Sequence, residues 1–226
     1  MISLKHKFIF LETPKTATTS ICGELAELLD IDLEIELLKK ANHHSILKAH
    51  LDNLTRSKGK MWRDGHLSPH FYFKNFINKG FLIFNVLRNP WDRFLSAFLH
   101  NHRDRKRINA YEISMFKKLS KWDSFESFCF HLRDSSQIDS CFTSGHFIKQ
   151  SDFLNTNLKN VKSVNYNNIK NDLSELLNGF GLNFKLKYHW NNSQKTTSYR
   201  DYYTKETRSI VADLYKEDIK NFNFEF

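Results

Sequence analysis

A short apolar run, Phe8-Ile9-Phe10-Leu11, leads into a turn rich in lysine and hydroxyl residues, Glu12-Thr13-Pro14-Lys15-Thr16-Ala17-Thr18-Thr19-Ser20. Beyond the turn, Ile21 to Leu29 carries the apolar spacing of a helix. A buried strand that passes through such a turn into a helix start is strongly constrained. The first N–H groups of the helix lack helical partners, the helix dipole favours negative charge, and the Lys15 ammonium joins them. Phosphate or sulfate is the guest that such a place suits. The simpler reading is an ordinary strand-to-helix turn with a Thr or Ser N-cap. A nucleoside triphosphate loop is disfavoured: the G-x-x-x-x-G-K-[ST] pattern is absent, since the turn has no glycine. A glycine-free turn is also expected to keep φ in the ordinary negative regions.

The same grammar recurs. Gly80 to Leu87 is a continuous apolar run, suited to a central parallel strand covered on both faces. It ends in Arg88-Asn89-Pro90, with Pro90 placed to open a helix from Trp91 to about His102 that carries Phe94, Leu95 and Phe98 on one face. Further helices are expected over 16–30, 33–58 (with a loop near 56–60), 124–133, 167–178 and 204–219. Strands are expected over 7–11 and 161–166. Alternating strands and helices predict an α/β fold: a P-loop-like, three-layer domain with a central parallel sheet flanked by helices. Both turns then lie at the carboxyl ends of strands, where such sheets bind ligands. At 226 residues with 21 Phe, the chain reads as one domain with ample core material. It carries no repeat, low-complexity tract or Pro/Gly-rich linker.

Arg88 leaves the second strand, and Ser96 lies two turns into the following helix. An arginine fork and a directed hydroxyl suit a phosphate monoester; an ion pair between Arg88 and Asp92 is the structural alternative. Taken as a pair, the two segments resemble the nucleotide-dependent sulfotransferases of the carbohydrate type (sulfotransferase family 2-like). Pro14-Lys15-Thr16-Ala17-Thr18-Thr19-Ser20 is similar to the family's P-K-T-x-x-T-S turn. Arg88-Asn89-Pro90-Trp91-Asp92-Arg93-Phe94-Leu95-Ser96 matches its R-[DN]-P-x-x-R-x-x-S segment in full. Weaker similarities run along the chain: Gly65-His66-Leu67-Ser68, Phe125 to Phe128, His146 to Leu154, Trp190 to Ser193, Tyr199 to Tyr203 and Tyr215 to Phe222. Departures are Glu12-Thr13 before Pro14, where the family often has His, and Ala17 and Thr18 where it often has glycine.

The resemblance implies a function. The donor is 3′-phosphoadenosine 5′-phosphosulfate (PAPS). Lys15, Thr16, Ala17, Thr18, Thr19 and Ser20 hold its 5′-phosphosulfate, and Arg88 and Ser96 its 3′-phosphate. Lys195 and Tyr199 are candidates to contact the 3′-phosphate or adenine. His66 is the candidate base that deprotonates an acceptor hydroxyl, and the acceptor is a carbohydrate, such as a glycan or glycolipid. No metal is called for, because Lys15 and the helix start supply the positive charge. His43, His44 and His70 are read as surface or capping residues: Pro69 breaks any helix that would align His66 with His70, and metal-site spacing is absent.

A formal net charge of +9 fits an anionic partner, although a solvated basic face is the commoner explanation of such a charge. Rival readings are a small-molecule kinase with an atypical phosphate loop and a non-catalytic polyanion binder; the paired motifs favour neither, nor a nucleic-acid partner. Cys22, Cys129 and Cys141 show no disulfide or zinc pattern, which suits a reducing compartment. With neither a leader nor a membrane-length apolar run, the expected location is the cytoplasm.

Overall fold

The computed structural model describes residues 1–40, 79–103, 124–134, 146–154, 161–187 and 197–226. In chain order the described elements are β1 (Ile2–Ser3), β2 (Phe8–Leu11), α1 (Thr18–Leu28), α2 (Ile31–Lys40), β3 (Leu82–Leu87), α3 (Pro90–Arg103), α4 (Phe125–Asp134), α5 (Gln150–Leu154), β4 (Val161–Asn165), α6 (Ile169–Asn178), α7 (Lys205–Leu214) and α8 (Lys216–Phe222), with 3₁₀ turns at Tyr166–Asn168 and Tyr199–Tyr202. Contacts divide the chain into two compact units, Met1–Leu87 with Phe153–Asn191, and Arg88–Asp152 with Asn192–Phe226.

The first unit is built on a sheet of order β1-β2-β3-β4. β2 and β3 run parallel, in register from Phe8↔Leu82 to Leu11↔Asn85, and β3 runs parallel to β4 from Ile83↔Val161 to Leu87↔Asn165. β1 is an antiparallel addition on β2 that the sequence does not announce, so the sheet is mixed rather than purely parallel. Side chains alternate across a sheet. Phe8, Phe10, Phe84, Val86 and Val164 therefore share one face, where they form a core with Ile21, Cys22 and Leu25 of α1 and Ile169, Leu173 and Leu177 of α6. Phe10 stacks on Phe84 at 5.1 Å, and Phe8 meets Phe84 at 5.7 Å. Ile9, Leu11, Ile83 and Asn85, on the opposite face, are also buried. This is why β2 and β3 read as continuous apolar runs rather than alternating ones. The fold is α/β, with a mostly parallel sheet flanked by helices.

The second unit is a helical cluster packed around aromatic rings. Phe94 of α3 lies 5.8 Å from Phe125, 5.6 Å from Phe128, 5.4 Å from Phe147 and 5.9 Å from Tyr215. α3 starts at Pro90, as its sequence predicts, and Asn89 caps it through Oδ1, which accepts the Trp91 N–H at 3.1 Å. One expected helix is two: the stretch over 204–219 breaks at Tyr215 (φ −113°, ψ 26°) without glycine or proline. Tyr215 is fully buried and its hydroxyl donates to the Phe147 carbonyl at 2.7 Å, a tertiary demand invisible in local spacing.

Candidate active site

The turn from β2 to α1 is braced from within. The carbonyl of Thr13 accepts two hydroxyls, Thr16 Oγ1 at 2.7 Å and Thr18 Oγ1 at 2.8 Å. Thr13 and Thr16 are fully buried, while Lys15 is half-buried. Lys15 and Ala17 hold left-handed backbone, φ 66° and 62°, and Thr16 between them keeps negative φ. The expectation of ordinary φ throughout this glycine-free turn is therefore wrong. Two residues with Cβ atoms occupy a region that costs them roughly 1–2 kcal/mol each. The surrounding hydrogen bonds and burial over-determine the loop and hold them there. Backbone that alternates in hand turns successive N–H groups toward one side, the geometry of an anion nest.

The start of α1 also differs from an ordinary capped helix. Its N-cap is Ala17, no side chain caps it, and its first turn carries no acidic residue. The first helical bond runs from the Ile21 N–H to the Ala17 carbonyl at 3.0 Å, so the N–H groups of Thr18 and Thr19 have no helical carbonyl to reach. The Thr-or-Ser-capped reading of this turn is thereby excluded. Thr18 uses its hydroxyl proton within the turn; Thr19 is half-buried and Ser20 buried.

In the second unit Arg88 follows β3 directly and is 6% exposed. The expected alternative for it is real: Nε donates to Asp92 Oδ2 at 2.6 Å, one turn on. Ser96, also on α3, is 5% exposed, and its hydroxyl makes no hydrogen bond among the described residues. Tyr199 opens the Tyr199–Tyr202 turn, edge-on to Phe226 at 5.7 Å and beneath the Arg200 guanidinium at 5.0 Å. Burial raises its phenol pKa, against the pull of Arg200 and Arg208. His66 and Lys195 lie outside the described residues, as do His43, His44, His70, the Gly65 to Ser68 and Trp190 to Ser193 segments, and the expected helix beyond Lys40.

Sequence reasoning assigned no role to several residues that fix the Arg88 segment. Arg93, the second arginine of the motif, is fully buried and faces no expected ligand. Its guanidinium donates to the carbonyls of His146 (3.1 Å) and Ile148, and lies 5.3 Å from the Tyr215 ring. The segment so fixed delivers Gln150, whose side-chain amide accepts the Arg88 N–H and donates to the Arg88 carbonyl, each at 2.9 Å. Asp218 in turn accepts the Gln150 and Ser151 N–H groups, both at 2.8 Å. Gln150 and Asp218 lie in the His146 to Leu154 and Tyr215 to Phe222 segments that the resemblance picks out, but their roles rest on burial, which sequence does not show. Among the described residues no cluster of three or more His, Cys, Asp or Glu could hold a metal ion, and no helix is long and apolar enough to cross a membrane.

In the first unit a parallel strand ends in a lysine turn with no side-chain cap, and in the second unit an arginine–serine helix start follows β3; each by itself has the chemistry that suits an anionic group. The chain belongs to the sulfotransferase family, which it matches over residues 1–225. It is a transferase of sulfonyl groups. Comparison with curated proteins returns no match, and neither does comparison with solved structures.

Proposed function

We propose that the protein transfers a sulfonate from PAPS to a hydroxyl of a carbohydrate acceptor, as a single sulfotransferase domain. The observation that carries this reading is the uncapped start of α1 behind the left-handed Lys15–Ala17 turn, a strained backbone of the kind that marks ligand clamps. The near-complete family match and the buried Arg88–Ser96 segment support it.

In this reading the Lys15 ammonium and the turn's N–H groups neutralise charge growing on the 5′-phosphate oxygen as its bond to sulfur breaks. Arg88 and Ser96 hold the 3′-phosphate and so set the donor's register, with Tyr199 and Lys195 beside them. His66 takes the proton of the acceptor hydroxyl as its oxygen bonds to sulfur. Lys15 and the helix start supply the charge that a metal otherwise brings. The family's carbohydrate-type motifs favour a glycan or glycolipid acceptor. Buried free thiols at Cys22 and Cys129 suit a reducing compartment, the cytoplasm.

Incubation with labelled PAPS and a panel of glycan acceptors tests the proposal. Label is expected to move to a hydroxyl-bearing glycan, and Lys15→Ala is expected to lower turnover by about 10²–10³ with the fold intact. Near-normal turnover in that variant refutes the assignment. A thermal shift with ATP–Mg²⁺ and none with 3′-phosphoadenosine 5′-phosphate indicates a kinase instead.

A further inference from the structure

Arg88 lies one residue past the last register pair of β3, Leu87↔Asn165. Its amide and carbonyl thus leave the ladder at a position only 6% exposed, where both still need partners. Gln150 supplies both. Its primary amide presents an acceptor to the Arg88 N–H and a donor to the Arg88 carbonyl, each at 2.9 Å, in the manner of a neighbouring strand's peptide group. Gln150 is itself fully buried and held from behind. Asp218 Oδ2 accepts its N–H at 2.8 Å and lies 3.5 Å from its Nε2, and Asp218 Oδ1 takes the next N–H, that of Ser151. Asp218 is fully buried as well.

We propose that Gln150, backed by Asp218, is a positioning residue that sets the Arg88 backbone so that its guanidinium meets the donor's 3′-phosphate. The inference rests on the donor reading above. Gln150 clamps the main chain and Asp92 takes Nε, so the direction of the arginine is determined at both ends. A guanidinium recognises phosphate by fork geometry, so a small rotation of Arg88 costs affinity for that one group. A glutamine that only satisfied buried backbone would affect stability, without selective loss of 3′-phosphate recognition.

The test is calorimetric titration with 3′-phosphoadenosine 5′-phosphate and, as control, with adenosine 5′-phosphate, which lacks the 3′ group. The wild-type chain is expected to prefer the first ligand, and Arg88→Ala to lose that preference. Gln150→Met is expected to weaken the first ligand by about tenfold or more while changing the second by less than about twofold. In the Arg88→Ala background, Gln150→Met is expected to add no further loss, because the two residues act through one contact. A wild-type preference retained in Gln150→Met, or additive losses in the double variant, overturns the inference alone. Absence of any preference in the wild type, or its persistence in Arg88→Ala, overturns the donor reading and the inference with it. Should Gln150→Met not fold, Gln150→Glu serves: it keeps an acceptor for the Arg88 N–H but sets a carboxylate oxygen against the Arg88 carbonyl. Weakened binding of the 3′-phosphorylated ligand is again expected there, and wild-type affinity overturns the clamp.

Discussion

Lys15 and Ala17 sit at φ 66° and 62° in a loop without glycine. Backbone strain of this kind persists only where neighbours enforce it, and here the Thr13 carbonyl does so through the Thr16 and Thr18 hydroxyls. A glycine at position 17 has no Cβ to strain, but loses more freedom on folding. Ala17→Gly is therefore expected to raise stability by about 0.5–1 kcal/mol, and Ala17→Val to lower it by about 1–2 kcal/mol, since a β-branched side chain tolerates this region worst. Urea midpoints of the two variants measure both, and a reversed order would show that the turn relaxes out of the left-handed region. The motif residues of this turn were legible in sequence because lysine and hydroxyl chemistry is local. Its backbone hand was not, because nothing in Lys15-Thr16-Ala17 favours positive φ; the burial of Thr13 and Thr16 imposes it.

At the scale of elements, α3 joins the motif to the core. Pro90 and the apolar face of Phe94, Leu95 and Phe98 announced the helix, and its observed span is Pro90–Arg103. The role of Arg93 on that helix was not announced. The motif offers two arginines of identical chemistry, and only the packing shows that Arg88 turns toward Asp92 while Arg93 enters the core to hold the His146 and Ile148 carbonyls. Arg93→Met keeps much of the volume but leaves those carbonyls without their donor. It is expected to cost about 3 kcal/mol, read as a fall in the urea midpoint at constant slope. A loss below about 1 kcal/mol would mean that water replaces the fork and that the 146–148 segment is held from elsewhere. The break at Tyr215 follows the same logic. The 204–219 spacing is helical throughout, and the turn is spent on carrying a buried phenol to the Phe147 carbonyl.

For the whole molecule, pH acts through groups that burial keeps uncharged in the second unit. The Cys129 thiol is pushed up to about 12 from an ordinary 9.0, first by burial and then by the Glu126 carboxylate. The half-buried Tyr203 phenol, which donates to the Trp91 carbonyl at 2.8 Å, is raised well above 10.0, chiefly by loss of water around the hydroxyl. Between the ordinary and native values the unfolded chain releases protons that the folded chain retains, so stability is full below the unfolded values and drains as pH rises through this window. Urea midpoints are expected to fall as pH rises from about 9 toward about 12, and to fall less in Cys129→Ala; an unchanged alkaline loss in that variant would absolve the thiol. By itself the sequence determined the apolar strands, read at 7–11 and 80–87 and found at Phe8–Leu11 and Leu82–Leu87, the helices that follow them, the α/β class and the pairing of a lysine turn with an arginine–serine helix, because periodicity and residue chemistry act over a few neighbouring positions. Only the tertiary structure decided the antiparallel β1, the left-handed turn, the split at Tyr215, and the chain from Asp218 through Gln150 to the Arg88 backbone. Those depend on which polar groups burial strips of water, and their partners lie 62 and 68 residues apart along the chain.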